Sequence, residues 1–283
     1  MTQLRRLVIA LAILLALPVA GCGAPHPGPS LTVGTSGDTE TTLLANIYSA
    51  ALRYYGTDAR VSTSPDPLVA LDAGEVTVVP GFTGRLLERF SPGSAARSAE
   101  QVYRAMVGAL PEGVAAGDYA VAAEDKSALA VTAATADSWG SRELSALVDH
   151  CGAVTVGSVT GGAAPATVGS CALPSVRQYG SAAAMFDALQ AGFITAAWTS
   201  TANTSVPTGA VVLVDRKPTL LQAQNVVALY SRNEIDTMQL RAINELAGVL
   251  DTASLVDMLH QVETGADAHA VAENWLAANP LGR

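Results

Sequence analysis

The chain contains 283 residues, enough for one large domain or for two modest ones that each bury a core. Apolar residues make up 49% of it and charged residues 14%, which excludes a disordered tail, and 25 Gly with 14 Pro exclude a coiled coil. With 16 basic and 25 acidic residues the net charge is −9. Binding to nucleic acid or to an anionic membrane surface is disfavoured, because both need an excess of basic residues.

The first 21 residues have the features of a secretion signal. Arg5 and Arg6 precede an apolar run over 7–20, which is too short to span a bilayer well. The run ends in Val-Ala-Gly-Cys at 19–22, which resembles the lipobox of bacterial lipoproteins, where the cysteine is acylated. We therefore expect a lipid anchor on Cys22 and a tether over 22–30; the alternative is an ordinary secreted protein with an unmodified Cys22.

From residue 31 onward, short β-like runs alternate with amphipathic helical patterns, which predicts an α/β fold with largely parallel sheets. The first strand, 31–34, leads into a polar turn and a helix that stops at Gly56. The other elements predicted for this first lobe are strands at 60–64 and at 76–79, the latter broken by Pro80, and helices at 66–73, 83–90 and 99–110, the last opened by the capping-box pair Ser98 and Gln101.

A strand over 128–132 leaves this lobe, and the pattern then restarts. The elements predicted next are helices at 142–150 and 182–190 and strands at 153–156, 194–198, 211–214 and 226–230. The chain is helical after Tyr230: a capping box of Ser231 and Glu234 opens one helix, and two more lie near 255–262 and 270–277. The sequence therefore predicts two α/β lobes joined by two crossing strands, the first formed by 31–127 and 228–283 and the second by 128–227.

Two cysteines remain in the second lobe, Cys151 and Cys171. An even pair in an oxidising compartment predicts a disulfide, which would close a loop rich in Gly, Ala, Ser and Thr and stabilise the fold by roughly 3 kcal/mol. Two buried free thiols are the alternative. A zinc site is disfavoured, since there is no CxxC and the neighbouring His150 has no partner at ligand spacing.

Common catalytic motifs are absent from the sequence: it contains no P-loop, HExxH, GxSxG or SxxK. His260 and Glu263 lie three residues apart on a predicted helix, with His269 further along, but a third metal ligand at compatible spacing is missing. A solvated helix face explains them better. We therefore expect neither a metal, nor a cofactor, nor enzymatic activity.

Three segments carry a family resemblance when they are taken in order. They are Val-Gly-Thr-Ser at 33–36 followed by Glu40, the stretch from Leu-Asp-Ala-Gly-Glu at 71–75 to Val-Pro-Gly-Phe-Thr-Gly at 79–84, and 211–215 with Lys217 and Asn225. Together with the helical C-terminus they resemble the substrate-binding proteins of ABC importers for glycine betaine, choline and carnitine. The resemblance spans nearly all of the mature chain.

The resemblance implies a type II periplasmic-binding-protein fold, in which two lobes close on a solute and deliver it to an ABC permease in the cytoplasmic membrane. We also expect a monomer, held by its lipid anchor on the extracytoplasmic face of the bacterial cell membrane. Strand ends and helix N-termini face the cleft in such a fold. The residues expected to bind the ligand are Thr35, Ser36, Glu40, Phe82, Thr83, Gly84, Arg85, Ser127, Trp198, Thr199, Ser200, Thr201, Gln224 and Asn225. Plain N-capping is the alternative for each Thr and Ser.

The departures from the family concern its aromatic cage, which holds a quaternary ammonium. Where the family has tyrosines, this chain has Val79, Phe82 and Gln224, and no tyrosine stands near 125–127. Trp198 is a possible replacement wall, with core packing as the alternative reading. The lost rings remove the main attraction for a trimethylammonium group.

Two basic residues near the expected cleft, Arg85 and Lys126, would further repel a cation. We therefore expect a solute unlike a betaine: polar, neutral or anionic, and bound by hydroxyls, amides and Arg85, with a surface position for Arg85 as the alternative. Solute capture for an ABC importer is the leading function. A lipoprotein of the same fold that acts as a sensor or docking module without transport is the second, and a surface enzyme is the third.

Overall fold

The computed structural model describes residues 30–173 and 176–282. The predicted leader, Cys22 and nearly all of the tether lie outside the described residues. Within those residues, no helix has both the length and the apolar character needed to cross a membrane.

Two mixed sheets, each flanked by helices, form the framework. The strands are β1 (Leu31–Thr35), β2 (Ala59–Thr63), β3 (Val78–Phe82), β4 (Val114–Ala116), β5 (Ser127–Thr132), β6 (Val156–Val159), β7 (Thr167–Val168), β8 (Cys171–Ala172), β9 (Arg177–Tyr179), β10 (Ala196–Ser200), β11 (Ala210–Val212) and β12 (Val226–Ser231). The helices are α1 (Thr39–Tyr54), α2 (Pro67–Asp72), α3 (Thr83–Phe90), α4 (Ala99–Gly108), α5 (Ala133–Trp139), α6 (Leu144–Asp149), α7 (Ala182–Gln190), α8 (Thr237–Val249), α9 (Thr252–Glu263) and α10 (Ala268–Ala278), with a 3-10 turn at Cys151–Ala153.

The first sheet has the strand order β2-β1-β3-β12-β4 and the second β11-β5-β10-β6-β9, while β7 and β8 form a separate hairpin. In each sheet two strand pairs are parallel and two are antiparallel. The expectation of largely parallel sheets was therefore wrong, because β12 and β5, the strands next to the crossings, run against their neighbours. Each sheet buries apolar side chains on both faces.

Helix α1 is the centre of the first lobe's core. Asp38 caps it by accepting a hydrogen bond from the Thr41 N–H, and Gly56 ends it with a φ of 83°, a left-handed conformation that glycine adopts without strain. All residues from Leu43 to Leu52 are buried, because the first sheet covers one side of α1 and α8, α9 and α10 cover the other.

Strand β3 accommodates a proline that was expected to end it. Strand β3 is not broken at Pro80 but continues to Phe82. The Thr83 N–H donates to the Asn225 carbonyl on the β12 side, so by strand alternation Pro80 directs its nitrogen to the opposite side. On that side β3 faces β1 and pairs with it at Val78. The missing N–H of Pro80 therefore removes no hydrogen bond between β3 and β1.

In the second lobe, the strand predicted at 153–156 is β6 at Val156–Val159, because Cys151–Ala153 forms a 3-10 turn. The sequence also missed α5 and the short strands β4, β7, β8 and β9. After β12, the capping box that opens α8 consists of Asp236 and Gln239 rather than Ser231 and Glu234. The predicted Ser98–Gln101 box is confirmed at the start of α4.

Two crossings join the lobes side by side. The first passes through 124–126 and the second through 222–225, and they pair with each other through an antiparallel bridge between Glu124 and Asn225. The Asp125 N–H donates to the Gln224 carbonyl at 3.0 Å. A two-lobed α/β fold joined by two crossing strands is thus confirmed, and Val226 and Val227 belong to β12 in the first sheet.

Candidate ligand-binding cleft

A cavity of about 380 Å³ lies between the two lobes, at the edge where the parallel strands β6 and β10 end. This is the edge at which open α/β sheets bind ligands. From the first lobe and the crossings, it is lined by Arg85, Asp125 and Gln224, and from the second lobe by Ser127, Ser158, Val159, Gly162, Ala163, Trp198, Thr199, Ser200 and Asn203.

The second-lobe wall contains polar atoms without a partner. Ser158 on β6 and Trp198 and Thr199 on β10 all line the cavity. The Ser158 Oγ, the Trp198 Nε1 and the Thr199 Oγ1 are buried, and none has a hydrogen-bond partner in the described part of the chain. Because buried polar groups are nearly always hydrogen-bonded, this wall offers unsatisfied groups to a polar ligand.

On the first-lobe side, Arg85 at the start of α3 is held by two carboxylates. Its Nη1 lies 2.6 Å from the Glu40 Oε2 on α1, and its Nη2 donates to the Asp125 Oδ2 on the first crossing. The guanidinium also lies over the Phe82 ring, 4.4 Å from the centroid. Three segments far apart in sequence thus meet at one side chain.

Two carboxyl groups surround one guanidinium, so this group carries no net positive charge. Burial, and then the nearby Asp125, raise the pKa of Glu40 to about 7, although Arg85 opposes the shift. The positive charge of Arg85 is already matched within the protein. The expectation that Arg85 selects an anionic solute therefore loses its basis, whereas its remaining N–H groups suit a neutral oxygen acceptor.

Gly84 allows α3 to approach the second crossing closely. A Cβ at this position would lie 2.6 Å from both the Ala223 carbonyl oxygen and the Gln224 Nε2. The approach lets the Gln224 Oε1 accept a hydrogen bond from the Arg85 N–H at 2.8 Å. Gly84 thus positions Gln224 and Arg85 together, although its own atoms do not line the cavity.

The buried pair Thr83 and Asn225 fastens β3 to the second crossing instead of facing the cavity. The Thr83 N–H donates to the Asn225 carbonyl, and the Thr83 Oγ1 accepts from the Asn225 N–H. The Asn225 Nδ2 donates to the carbonyls of Ala120 and Val121. We interpret both residues as structural supports of the cleft.

Five further expected residues also lie outside the lining of this cavity: Glu40 and Phe82, which contact Arg85, and the hydroxyl residues Thr35, Ser36 and Thr201. Thr35 and Ser36 form hydroxyl hydrogen bonds around the start of α1, including one from the Ser36 Oγ to the Asp38 carboxylate. Thr201 bonds the first crossing, accepting from the Lys126 N–H and donating to the Glu124 carbonyl. N-capping and hinge contacts explain these three hydroxyls.

Lys126 does not face the cleft, contrary to expectation. Its Nζ lies 3.3 Å from the Asp215 Oδ2, and the two side chains are 8% and 3% exposed. Both residues line a different, mostly apolar cavity of about 350 Å³, which adjoins the cleft at Ser127, Ser200 and Asn203. Lys126 is therefore a buried structural ion, and it does not repel a cation in the cleft.

Residues that the sequence did not single out include Asp125, Ser158 and Asn203, all of which line the cavity. Ser158 was hidden by the misplaced strand at 153–156. A polar residue at the end of β6, once that strand is placed correctly, is the signal that identifies it.

The family model described as the substrate-binding domain of an ABC-type glycine betaine transport system, OpuAC, matches residues 29–278. The chain belongs to this family. It is a substrate-binding protein of an ABC importer, and the match favours solute capture over the sensor or docking alternative. The OpuAC family comprises extracytoplasmic substrate-binding proteins rather than enzymes.

Solved structures show the same two-lobed fold as this OpuAC-family chain. A glycine betaine/carnitine/choline ABC transporter protein is similar with a TM-score of 0.71 and 14% identity, covering 88% of this chain and 98% of that one. Apo YehZ from Escherichia coli is similar with a TM-score of 0.68 and 20% identity, covering 89% of this chain and 99% of that one. An ABC-transporter choline-binding protein in complex with choline is similar with a TM-score of 0.53 and 15% identity, and 89% of each chain is covered. No curated protein sequence matches this chain.

Proposed function

We propose that this protein captures a small polar solute, uncharged overall and not a quaternary ammonium, for an ABC permease. The position of Arg85 carries this proposal. The side chain covers the Phe82 ring, the aromatic face that stands where the family has a cage tyrosine, and a bound trimethylammonium would have to displace the protein's own cation. Opposite it, the Ser158 and Thr199 hydroxyls have no hydrogen-bond partner among the described residues, so they can bond ligand oxygens or amides.

Capture requires the lobes to move about the two crossings. The lining residues come from both lobes, so a ligand that contacts both sides stabilises the closed arrangement and shifts the population toward it. We place the hinge at 124–126 and 222–225. The lobes lie to either side, the first at 31–127 with 228–283 and the second at 128–227, except that Ser127 joins the second lobe as the first residue of β5 and 226 and 227 join the first lobe in β12.

The membrane anchor is a separate part of the proposal. We propose that the signal is removed before Cys22, that the acylated Cys22 holds a monomer on the outer face of the cytoplasmic membrane, and that the protein has no catalytic activity. Mass spectrometry of the mature protein tests this: a diacyl or triacyl mass on Cys22 supports it, and a soluble Cys22 form without lipid contradicts it. A Cys22→Ser variant is the matched control.

Thermal shift and calorimetry test the ligand class. A rise in melting temperature with a neutral polar solute supports the proposal, because a ligand that binds only the folded state stabilises it. Glycine betaine and choline should produce no comparable shift. Tight binding of either one in calorimetry contradicts the proposed class of ligand.

A further inference from the structure

A second cavity, of about 390 Å³, lies next to the one described above. The same three segments line both. Helix α3 contributes Arg85 to the first cavity and Glu88, one turn further on, to the second. The loop after β6 contributes Gly162 and Ala163 to the first cavity and Pro165 to the second. The second crossing contributes Gln224 to the first cavity and Gln222 to the second. The two cavities are therefore consecutive parts of one groove between the lobes.

The second-lobe wall of this distal cavity is held in place by covalent and packing constraints. The predicted disulfide between Cys151 and Cys171 is present, and it fixes the end of the loop that carries Pro165, Thr167 and Gly169. Gly169 has a φ of +57°, and a Cβ there would lie 2.9 Å from Leu220, another lining residue. Leu220 also belongs to the second lobe, so the loop is packed against its own lobe and this wall is formed before any ligand arrives.

Two opposite charges face the distal cavity from the first lobe. Glu88 accepts hydrogen bonds from the Gly93 N–H at 3.2 and 3.3 Å, and the Arg97 Nη1 donates to the carbonyls of Ser94 and Ala96. Neither side chain forms an ion pair with another described residue. This contrasts with Arg85 in the first cavity, whose charge is matched by two carboxylates.

The backbone of Arg97 is tied to the hinge. Its carbonyl accepts a hydrogen bond from the Ala223 N–H at 2.9 Å, so the residue is fixed beside the second crossing. A free cation and a free anion on one wall can bind the carboxylate and the ammonium of a single zwitterionic group. The neutral hydroxyls of the first cavity suit an uncharged polar tail.

We propose that the two cavities together bind an elongated solute that has an α-amino acid head group and a neutral, hydrogen-bonding tail. The head lies between Glu88 and Arg97, and the tail reaches Arg85, Ser158 and Thr199. This inference rests on the proposed function, since it assumes that the groove is the solute site. It adds the length and the charge pattern of the solute.

Calorimetry with glycine, L-asparagine, L-glutamine and L-citrulline tests this, because the four share one head group and differ in the length of a neutral polar tail. We expect L-citrulline to bind at least tenfold more tightly than glycine. Arg97→Gln and Glu88→Gln should each weaken L-citrulline binding at least tenfold. Arg104→Gln is the control, since Arg104 lies on α4 and, within the described residues, pairs only with the exposed Glu100.

Three results would overturn the inference: equal affinity for glycine and L-citrulline, binding that is unchanged in Arg97→Gln and Glu88→Gln, or no binding of any of the four amino acids. The proposed function is judged separately, by native mass spectrometry of the solute that co-purifies and by its loss in Arg85→Gln. A short co-purified solute that depends on Arg85 but not on Arg97 upholds the proposed function and rejects the second subsite.

Discussion

The guanidinium of Arg85 covers the ring of Phe82 at 4.4 Å from its centroid while it is bonded to Glu40 and Asp125. An aromatic face with two carboxylates beside it is the environment that attracts an organic cation, and here the protein fills it with its own side chain. A member of a betaine-binding family can therefore keep the fold and part of the polar cleft while losing the attraction for trimethylammonium groups.

Replacing Arg85 should restore part of that attraction. In Arg85→Ala the Phe82 face and the two carboxylates are exposed to the cleft, so we expect choline affinity to rise roughly two- to thirtyfold, the range that a cation–π contact supports. Isothermal titration of choline into wild type and variant measures this. The melting temperature should fall, because the buried Asp125 carboxylate loses its partner.

Arg89→Ala is the control for this experiment. Arg89 lies on the same helix and pairs with Asp66, but both side chains are exposed, so its removal should cost less than about 1 kcal/mol and leave choline binding unchanged. If choline affinity is the same in Arg85→Ala as in wild type, the idea that Arg85 blocks a cation site is wrong.

Much of the fold could be predicted because its signals are local. Helices α3 and α7 begin and end at the predicted residues, since apolar periodicity and the residues around their ends define them. The disulfide followed from the count of cysteines and the compartment. Strand β6 was misplaced because the sequence at 153–156 has the pattern of a strand. In the structure Ala153 still belongs to the 3-10 turn, and β6 begins at Val156.

The site was harder to predict because its contacts are long-range. Glu40 and Asp125 lie 45 and 40 residues from Arg85, so sequence alone identified Arg85 as a cleft residue but not as a neutralised one. Lys126 was wrongly assigned to the cleft because its ion pair with the buried Asp215 is also long-range. That pair forms only once the loop after β11 packs against the first crossing. Local patterns contain no information about such pairs.

The raised pKa of Glu40 predicts a pH dependence of stability. The carboxyl titrates near 4.5 when exposed and at about 7 in the fold, chiefly through burial and then through Asp125. Between these values the folded protein keeps a proton that the unfolded chain releases, so this group makes stability fall as the pH rises through the window. Melting curves at about pH 5 and about pH 8 should show a larger drop for wild type than for Glu40→Gln. Parallel drops in both proteins would contradict the assignment.

Loss of the disulfide should lower stability without unfolding the protein. Cys151 and Cys171 are 20 residues apart, and in the loop-entropy account a cross-link of this length contributes roughly 3 kcal/mol. The double variant Cys151→Ser, Cys171→Ser should therefore unfold at a lower urea concentration than oxidised wild type. A reductant should lower the wild-type midpoint toward that of the variant and leave the variant unchanged. A difference below about 0.5 kcal/mol would contradict the prediction.

The close approach at Gly84 makes this position sensitive to any added side chain. In Gly84→Ala the new methyl group would collide with the Ala223 carbonyl and with Gln224, so the second crossing must shift. We expect a loss of about 1–3 kcal/mol in unfolding free energy, typical of overpacking, and weaker solute binding because Gln224 no longer bonds the Arg85 N–H. Gly108→Ala is the matched control: that glycine ends α4, and no atom of the described residues lies within 4 Å of its added methyl group. It should be neutral or stabilising by up to about 1 kcal/mol, since alanine favours helix. Urea unfolding of both variants measures the contrast, and equal effects at the two positions would refute the role given to Gly84.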